Sequence, residues 1–270
     1  MTVVGNVAVD RVDGGPPSAG GCPTFASVAF AQLGIGGRIV TKRAAADAPL
    51  FARTLADASV PVTVLDSATT SGFGLDYVGE QRTMTVEALG DPWTPESLRD
   101  ARINTTWVHL AALLRSEFPA EAVAQLRGAG HCVSLDGQGL VRIARRGPMA
   151  VDNRYDPAIL GEVSVLKLAD DEAPVIAGGE FTETTAARLG VPEILVTFGS
   201  AGADVYLDGR RSHVCAPRRI SGVHTTGSGD MFAVSYAAAR AAGRDPIAAA
   251  QAACALVARV LERRLAGEPV

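Results

Sequence analysis

At residues 225–230 the sequence reads Thr225-Thr226-Gly227-Ser228-Gly229-Asp230, and the Ala-rich segment that follows predicts a helix over roughly Gly229–Ala242. Glycines ahead of a helix expose backbone N–H groups at the positive end of the helix dipole, which favours phosphate oxygens there. An Asp in the first helical turn is then suited to accept a proton from an attacking hydroxyl group. Taken alone, such a run is more often a flexible loop whose Asp stabilises the helix start. The choice between the two interpretations depends on the rest of the chain.

Outward from this stretch, strand-like and helix-like segments alternate along the chain. The predicted strands are Val3–Val9, Gly37–Thr41, Val60–Leu65, Thr106–Leu110, His131–Asp136, Val163–Leu168 and Ile194–Phe198. The predicted helices are Thr24–Leu33, Pro49–Ala58, Pro119–Gly128, Phe181–Leu189, Gly229–Ala242 and Pro246–Leu265. This alternation is typical of a mainly parallel sheet with helices on both faces, which binds ligands beyond the carboxyl ends of its strands. Because no linker or composition break divides the sequence, we expect a single domain over residues 1–270.

The segment Thr69–Leu89 departs from this rhythm. Two runs of alternating residues flank Gly79-Glu80, a pattern that predicts a β-hairpin at about residues 69–89. A hairpin inserted into a strand–helix pattern often projects from the sheet, so we expect it to act as a lid. A second hairpin is predicted around Asp208-Gly209.

Composition argues against several classes of function. The 270 residues carry a net charge of −4, with 47% hydrophobic and 20% charged residues. Lys42 and Lys167 are the only lysines, and the basic footprint of a nucleic-acid binder is missing, so we expect no nucleic-acid partner. No apolar stretch is long enough to span a membrane, and no basic, apolar leader opens the sequence. We therefore expect a cytoplasmic protein without a membrane partner.

Three common site motifs are also missing from the sequence. The cysteines Cys22, Cys132, Cys215 and Cys254 are scattered, with no CxxC pair and no His at ligand spacing, so neither a zinc site nor a disulfide framework is expected. No G-x-x-x-x-G-K-[ST] run is present, which argues against a P-loop nucleotide hydrolase.

Four further segments carry motifs in chain order: Val3–Asp10, Gly20-Gly21, Leu166–Glu172 and Val196–Gly202. Together with residues 225–230 they resemble the ribokinase-like (PfkB) carbohydrate kinase family. The first two resemble its opening strand, which ends in a substrate-binding Asp, and its N-terminal di-glycine. The next two lie where the family carries N-x-x-E and the nucleotide-binding turn V-T-x-G-x-x-G, and residues 225–230 resemble the signature D-T-x-G-A-G-D. Their order over nearly the whole chain favours the kinase interpretation of Asp230.

The resemblance implies a three-layer α/β/α ribokinase-like fold with a mainly parallel central sheet. Only nine residues separate Asp10 from Gly20, where many sugar kinases of the family insert a strand pair, so we expect a reduced β lid. The implied enzyme is a small-molecule (carbohydrate) kinase that uses ATP and Mg²⁺ to phosphorylate a hydroxyl group of a small sugar, polyol or nucleoside. Whether it is a monomer or a homodimer stays open.

The resemblance also implies roles for individual residues. Asp230 is the expected catalytic base, and the expected anion hole is formed by the backbone N–H groups of Gly227, Ser228 and Gly229. The residues expected to hold the acceptor are Asp10, Gly20 and Gly21. Those expected on the nucleotide side are Thr197, Gly199, Gly202, Thr225 and Gln251. Glu172 is expected to position Mg²⁺ through water.

Four positions depart from the family pattern, and one of them is Gln251, which lies where the family's C-terminal helix usually has an Asn near the adenine or ribose. His224 replaces the Asp that opens the signature and that belongs, in many relatives, to a monovalent-cation site, so a need for potassium is doubtful. Ala169 replaces the Asn of N-x-x-E, and Phe25 lies where an Asn often follows the di-glycine, which suggests a different substrate branch. The changes at His224 and Ala169 motivate an alternative, a catalytically silent relative that senses a nucleotide or metabolite. The intact Gly227–Asp230 run favours the enzyme.

Overall fold

The computed structural model describes residues 1–78 and 81–268 of the chain. Its strands are β1 (Thr2–Asn6), β2 (Ala8–Val12), β3 (Ser18–Gly20), β4 (Arg38–Arg43), β5 (Val62–Asp66), β6 (Ser71–Val78), β7 (Gln81–Ala88), β8 (Trp107–Leu110), β9 (Cys132–Asp136), β10 (Gly147–Pro148), β11 (Val165–Ala169), β12 (Glu193–Thr197), β13 (Ala203–Leu207) and β14 (Arg210–Val214). Its α-helices are α1 (Cys22–Leu33), α2 (Ala48–Ala56), α3 (Pro95–Asp100), α4 (Ala120–Gly128), α5 (Gln138–Val141), α6 (Glu172–Ala177), α7 (Glu183–Leu189), α8 (Ser228–Ala241) and α9 (Pro246–Leu265).

The main sheet has nine strands in the order β14-β13-β12-β11-β9-β8-β1-β4-β5. The strands from β12 to β5 pair in parallel, and β13 and β14 extend one edge as an antiparallel hairpin. From the central β1 the chain first builds β4 and β5 on one side and later β8, β9 and β11 on the other. The carboxyl ends of β1 and β8 therefore form a switch point, the usual place for a ligand in such sheets.

Helices cover both faces of this sheet because its central strands are apolar on both sides. In β1, Val3 and Val4 are both fully buried but belong to different apolar clusters. Val3 packs with Met231 of α8 and Leu256 of α9, whereas Val4 shares a cluster with Leu98 of α3. Successive side chains of a strand point to opposite faces, so this run of buried valines requires a layer of helices on each side.

A second sheet of five strands, in the order β10-β7-β6-β2-β3, forms the lid. The sequence predicted one strand over Val3–Val9 with Asp10 at its end, but the chain leaves the main sheet at Val7. The parallel pairing of β1 with β4 ends at Asn6, and the N–H of Val7 donates instead to Oγ1 of Thr41 at 3.0 Å. Asp10 therefore lies within β2, as part of the lid.

Within the range predicted as a hairpin, β6 and β7 pair antiparallel, and the Gly79-Glu80 turn itself lies outside the described residues. Strands β2 and β3 on one side and β10 on the other extend this pair, so the lid is wider than the hairpin alone. Its inner face is apolar and contributes to a buried cluster that includes Phe73, Leu75 and Val86. Among the described residues, no helix combines the length and the apolar character needed to cross a membrane.

Candidate active site

A cavity of about 600 Å³ lies between the carboxyl edge of the main sheet and the lid. The lid contributes Asp10, Phe73, Leu75 and Tyr77 to its wall, and the sheet edge contributes Asp136, Lys167 and Thr197. Residues 225–230 line it as well. The fold thus brings the motif at the start of α8 to the switch point of the sheet.

The backbone at the start of α8 depends on Gly227. Its φ of +80° lies in the left-handed region, and a Cβ there would overlap the ring of Phe25, so only glycine fits. The N–H of Ser228 donates to the carbonyl of Thr225 at 2.9 Å, so the turn itself uses that donor. The expected anion hole therefore depends on the backbone N–H groups of Gly227 and Gly229 rather than on that of Ser228.

The hydroxyl group of Ser228 is a further polar feature of this helix start. Its Oγ atom is buried and finds no hydrogen-bond partner within residues 1–78 and 81–268. Buried hydroxyls are usually paired, so an unpaired one on the wall of a cavity indicates a polar ligand. Phosphate oxygens at the first turn of α8 would provide that partner.

The carboxyl group of Asp230 faces the cavity from the first turn of α8. Burial raises its pKa to about 6, and the nearby charge of Asp136 acts in the same direction. The cations Lys167 and Arg142 oppose this shift, as does a hydrogen bond from the thiol of Cys22. A carboxylate with a pKa near 6 is ionised at neutral pH but holds a proton more firmly than an ordinary Asp, which suits general-base chemistry.

Lys167 of β11 is a residue whose place in the site the sequence did not predict. Its side chain is buried, and its Nζ atom lies 3.5 Å from Oδ1 of Asp136. Burial alone would lower the pKa of Lys167, but the charges of Asp136, Glu172 and Asp230 more than offset this and raise it. The ammonium group therefore stays charged beside the start of α8. The one feature of the sequence that singled out Lys167 was that the chain has only two lysines, and this does not by itself indicate a site.

Glu172, the expected magnesium residue, is already engaged by protein groups. Its Oε1 atom accepts from Arg142 at 3.3 Å, and Oε2 accepts from the N–H of Ala169 at 2.9 Å. No group of three or more His, Cys, Asp or Glu side chains suited to a metal ion occurs among the residues that the structure describes. A magnesium ion here would thus contact donor phosphates and water, with Glu172 and the nearby Asp170 acting through water.

On the acceptor side, the two expected glycines have different functions. A Cβ on Gly20 would overlap the carboxylate of Asp10, so this glycine makes room for the Asp10 side chain. Gly21 lines the cavity with a φ of +83°, and a Cβ there would lie 2.7 Å from the carbonyl oxygen of Asn6. Asp10 and Gly21 line the cavity, whereas Gly20 does not.

On the expected nucleotide side, the turn after β12 lines the cavity with Thr197, Gly199 and Gly202. Thr197 Oγ1 donates to the carbonyl of Leu168 at 3.3 Å, which fixes the end of β12 against β11. Gly202 has a φ of +107°, and a Cβ there would overlap the carbonyl of Val214. These residues shape the backbone of the turn.

Gln251 is the expected nucleotide residue that does not join the others. It is exposed on α9 and is not part of the cavity wall. From α9 the wall is formed by the next turns of the helix, which present Cys254, Val257, Ala258 and Leu261. The part of the cavity wall that α9 forms is therefore largely apolar, and Thr225 is also part of the wall.

The lid touches the motif directly. The hydroxyl group of Tyr77 lies 3.1 Å from Oγ1 of Thr226, and its ring meets His224 edge-on with centroids 6.0 Å apart. A smaller cavity of about 330 Å³ beside this contact is lined by Asp10, Phe25 and Tyr77 among others. His224 also lines this smaller cavity and is exposed, rather than buried behind the anion hole.

Comparison with known proteins supplies the family. A model of the pfkB family of carbohydrate kinases matches residues 9–270. The chain belongs to the PfkB family. A hydroxymethylpyrimidine/phosphomethylpyrimidine kinase of Synechococcus elongatus is 34% identical to this PfkB protein over 143 residues, which cover 47% of the chain and 54% of that relative. The chain thus spans about half the length of that relative.

Solved structures agree on the fold. A pyrophosphate-dependent kinase of the ribokinase family, complexed with a pyrophosphate analog and myo-inositol, superposes with a TM-score of 0.84 at 24% identity, covering 97% of this chain and 94% of that one. Arabidopsis thaliana ribokinase complexed with ribose and ATP gives a TM-score of 0.71 at 20% identity, covering 97% and 92%. The predicted ribokinase-like fold is confirmed.

Proposed function

We propose that this PfkB protein transfers the γ-phosphoryl group of ATP to a hydroxyl group of a small sugar, polyol or nucleoside, with Asp230 as the base. The observation that carries the proposal is the carboxyl group of Asp230 on the cavity wall, in the first turn of α8 and beside the charged ammonium of Lys167. A base and an anion-stabilising helix start are thus adjacent, as phosphoryl transfer to an alcohol requires.

In the proposed step, the acceptor oxygen gives its proton to the carboxylate of Asp230 and attacks the γ-phosphorus. A new P–O bond forms while the bond from phosphorus to the leaving phosphate oxygen breaks, and the electron pair stays on the leaving nucleotide. The amides of Gly227 and Gly229 and the dipole of α8 stabilise the charge on the transferred group. Asp10 and the backbone at Gly21 hold the acceptor.

The nucleotide donor is supported by the apolar arm of the cavity along α9. Val257 and Leu261, together with Ile220 of the same cavity wall, offer a surface for a flat base, while Thr197, Gly199 and Gly202 would border the phosphates. Bound magnesium would offset the charge of the donor phosphates, held through water by Glu172 and Asp170. Pyrophosphate is a second candidate donor, because structures with this fold include a pyrophosphate-dependent kinase.

The test is a product assay with ATP or pyrophosphate as donor and a panel of acceptors that includes myo-inositol, ribose, nucleosides and hydroxymethylpyrimidine. Turnover with ATP and one acceptor class is expected, at least about 100-fold above the background of the Asp230→Asn variant. If panel members raise the unfolding temperature but none is phosphorylated by either donor, the sensor alternative replaces the enzyme. Turnover with pyrophosphate alone would overturn the ATP assignment and leave the kinase intact.

A further inference from the structure

The side chain of Lys167 has more hydrogen-bonding capacity than the surrounding protein uses. Its ammonium group has three N–H donors. Within residues 1–78 and 81–268 its hydrogen bond is with Oδ1 of Asp136, at a long 3.5 Å. That same oxygen also accepts from the N–H of Gln138 at 3.3 Å. A cation buried to this extent, with its side chain 7% exposed, calls for further acceptors.

The ammonium group lies where phosphate oxygens would supply them. A Cβ on Gly229 would be 3.2 Å from Nζ of Lys167, so the ammonium is in contact range of the first turn of α8. Gly229 leaves this space open by lacking a side chain. Lys167 also lines the cavity, so a ligand at the start of α8 reaches it without passing through protein. A lysine ammonium binds phosphate as a compact charge, without a fixed fork geometry.

The charges nearby explain why the cation is present without a ligand. The carboxylates of Asp136, Glu172 and Asp230 face it, while Arg142 pairs with Glu172. Lys167 thus belongs to the donor end of the cavity rather than to the lid. The phosphoryl group in transfer would carry negative charge into this cluster, and a fixed cation there lowers the energy of that state.

We propose that Lys167 is a second catalytic residue, whose ammonium group binds the phosphoryl group during transfer, and that Asp136 is the positioning residue that holds it. The inference rests on the proposed site of phosphoryl transfer at residues 227–230. Lys167 exchanges no proton in the step. Its N–H groups donate to oxygens of the transferred group while the acceptor oxygen replaces the leaving oxygen at phosphorus.

The chain provides a matched control, because its other lysine is also buried. Lys42 of β4 is 6% exposed, donates to the carbonyl of Pro92 at 2.7 Å and lies over the Trp93 ring at 4.5 Å. It does not line the cavity. Lys42→Met therefore measures what the loss of a buried lysine does to the fold alone.

Steady-state kinetics of Lys167→Met, Lys167→Arg and Lys42→Met form the first test. Lys167→Met should lose about 100-fold or more in kcat, as expected for removal of one group that stabilises transition-state charge, and Lys167→Arg should recover part of it. Lys42→Met should stay within about threefold of the parent after correction for the folded fraction. A Lys167→Met enzyme with the kcat of Lys42→Met would overturn the proposal.

A binding measurement on the unaltered protein avoids any folding defect of the variants. With lysine side chains labelled by ¹⁵N, the protein gives two ammonium resonances, assigned by Lys42→Met. Pyrophosphate, as the probe, should shift the Lys167 resonance and leave that of Lys42 in place. Bound pyrophosphate that leaves Lys167 unshifted would refute the contact. Because this readout needs no turnover, it separates failure of the Lys167 contact from failure of Asp230 as the base, which Asp230→Asn kinetics report.

Discussion

The two walls of the cavity differ in polarity: one is charged and the other is mainly apolar. The charged floor, defined by Asp136, Lys167 and Asp230, comes from the sheet edge and the start of α8. The lid facing it presents mainly apolar side chains, among them Phe73 and Leu75, which are 4% and 3% exposed. The proposed phosphoryl transfer needs fixed charges on one side and little water on the other, and the two walls are suited to these two needs separately.

This difference indicates which changes should affect which step. The floor should determine the rate of transfer, because its groups are the ones proposed to act on the reacting atoms. The lid should determine acceptor binding and water exclusion, with Asp10 as its polar contact. Substitutions in the floor should therefore change kcat, and those in the lid should change the KM of the acceptor more than kcat.

The largest effect is expected for Asp230→Asn. Loss of the proposed base should lower kcat by about 10²- to 10⁴-fold while the donor dissociation constant changes only a few-fold, because the side chain acts on the acceptor proton. Rapid-quench kinetics and calorimetric titration of the donor measure the two quantities. The control is Asp57→Asn, at an exposed carboxylate at the end of α2. If the Asp230→Asn enzyme retained most of its turnover, the floor would not supply the catalytic base.

The next effect is expected for Gly227→Ala, which probes the shape of the floor. The left-handed φ disfavours alanine by about 1–2 kcal/mol, and the overlap with the Phe25 ring adds to this. We expect a lower melting temperature and a loss of turnover of at least about tenfold.

Gly222→Ala separates strain from crowding at this position. Gly222 has a φ of +76°, close to the +80° of Gly227, but a Cβ there would meet nothing within 4 Å. Both variants should lose stability from strain, and only Gly227→Ala should also lose catalysis. Equal kinetic losses in the two variants would contradict the crowding argument.

The pH dependence of kcat/KM should report the protonation of Asp230. Because the pKa of this carboxyl is raised to about 6, the protonated form cannot accept the acceptor proton below that pH. The rate constant should fall about tenfold per unit below pH 6 and be level above about pH 7. A profile that stays flat down to pH 5 would argue against this base.

The same shift has a consequence for stability. A raised folded-state pKa means that ionising Asp230 is harder in the folded chain than in the unfolded one, so this group weakens the fold as pH rises from about 4 to about 6. Asp230→Asn should therefore melt higher than the parent at pH 8, with the gap closing toward pH 4. Melting curves across this range measure it, and a gap that widens toward acid pH would reverse the sign.

The smallest effect is expected at the contact between the two walls, through Tyr77→Phe. The variant removes the 3.1 Å hydrogen bond to Thr226, with a net worth of about 1 kcal/mol, or roughly fivefold in equilibrium. We expect the acceptor KM to rise about two- to fivefold with kcat nearly unchanged. A change confined to kcat would mean that the lid acts on the transfer step itself.

Much of the fold was predictable because its signals are local, and in the floor the sequence predicted Asp230 but not Lys167. The strand–helix alternation predicted the parallel sheet, and the Gly-rich run before α8, taken together with the other family motifs along the chain, predicted a site at Asp230. The break at Val7 was not predictable, because Val3–Val9 is apolar apart from Asn6 and the interruption depends on a contact with Thr41, far along the chain.

The contacts of Lys167 could not be predicted from the sequence either. Lys167 meets Asp136 across two neighbouring strands and Gly229 across a helix start, and neither separation follows a local period. For Gln251, position along the family's helix suggested a ligand contact, whereas α9 reaches the cavity only from Cys254 onward. Pairings that depend on strand order need the three-dimensional fold.

The burial of both lysines has a practical consequence for handling the protein. Lys42 and Lys167 are 6% and 5% exposed, and they are the only lysines of the 270 residues. Amine-directed cross-linking, fluorophore coupling and immobilisation therefore find no lysine side chain on the outer surface. Reagents small enough to enter the cavity would meet Lys167, whereas attachment through the exposed Cys215 leaves both amines untouched.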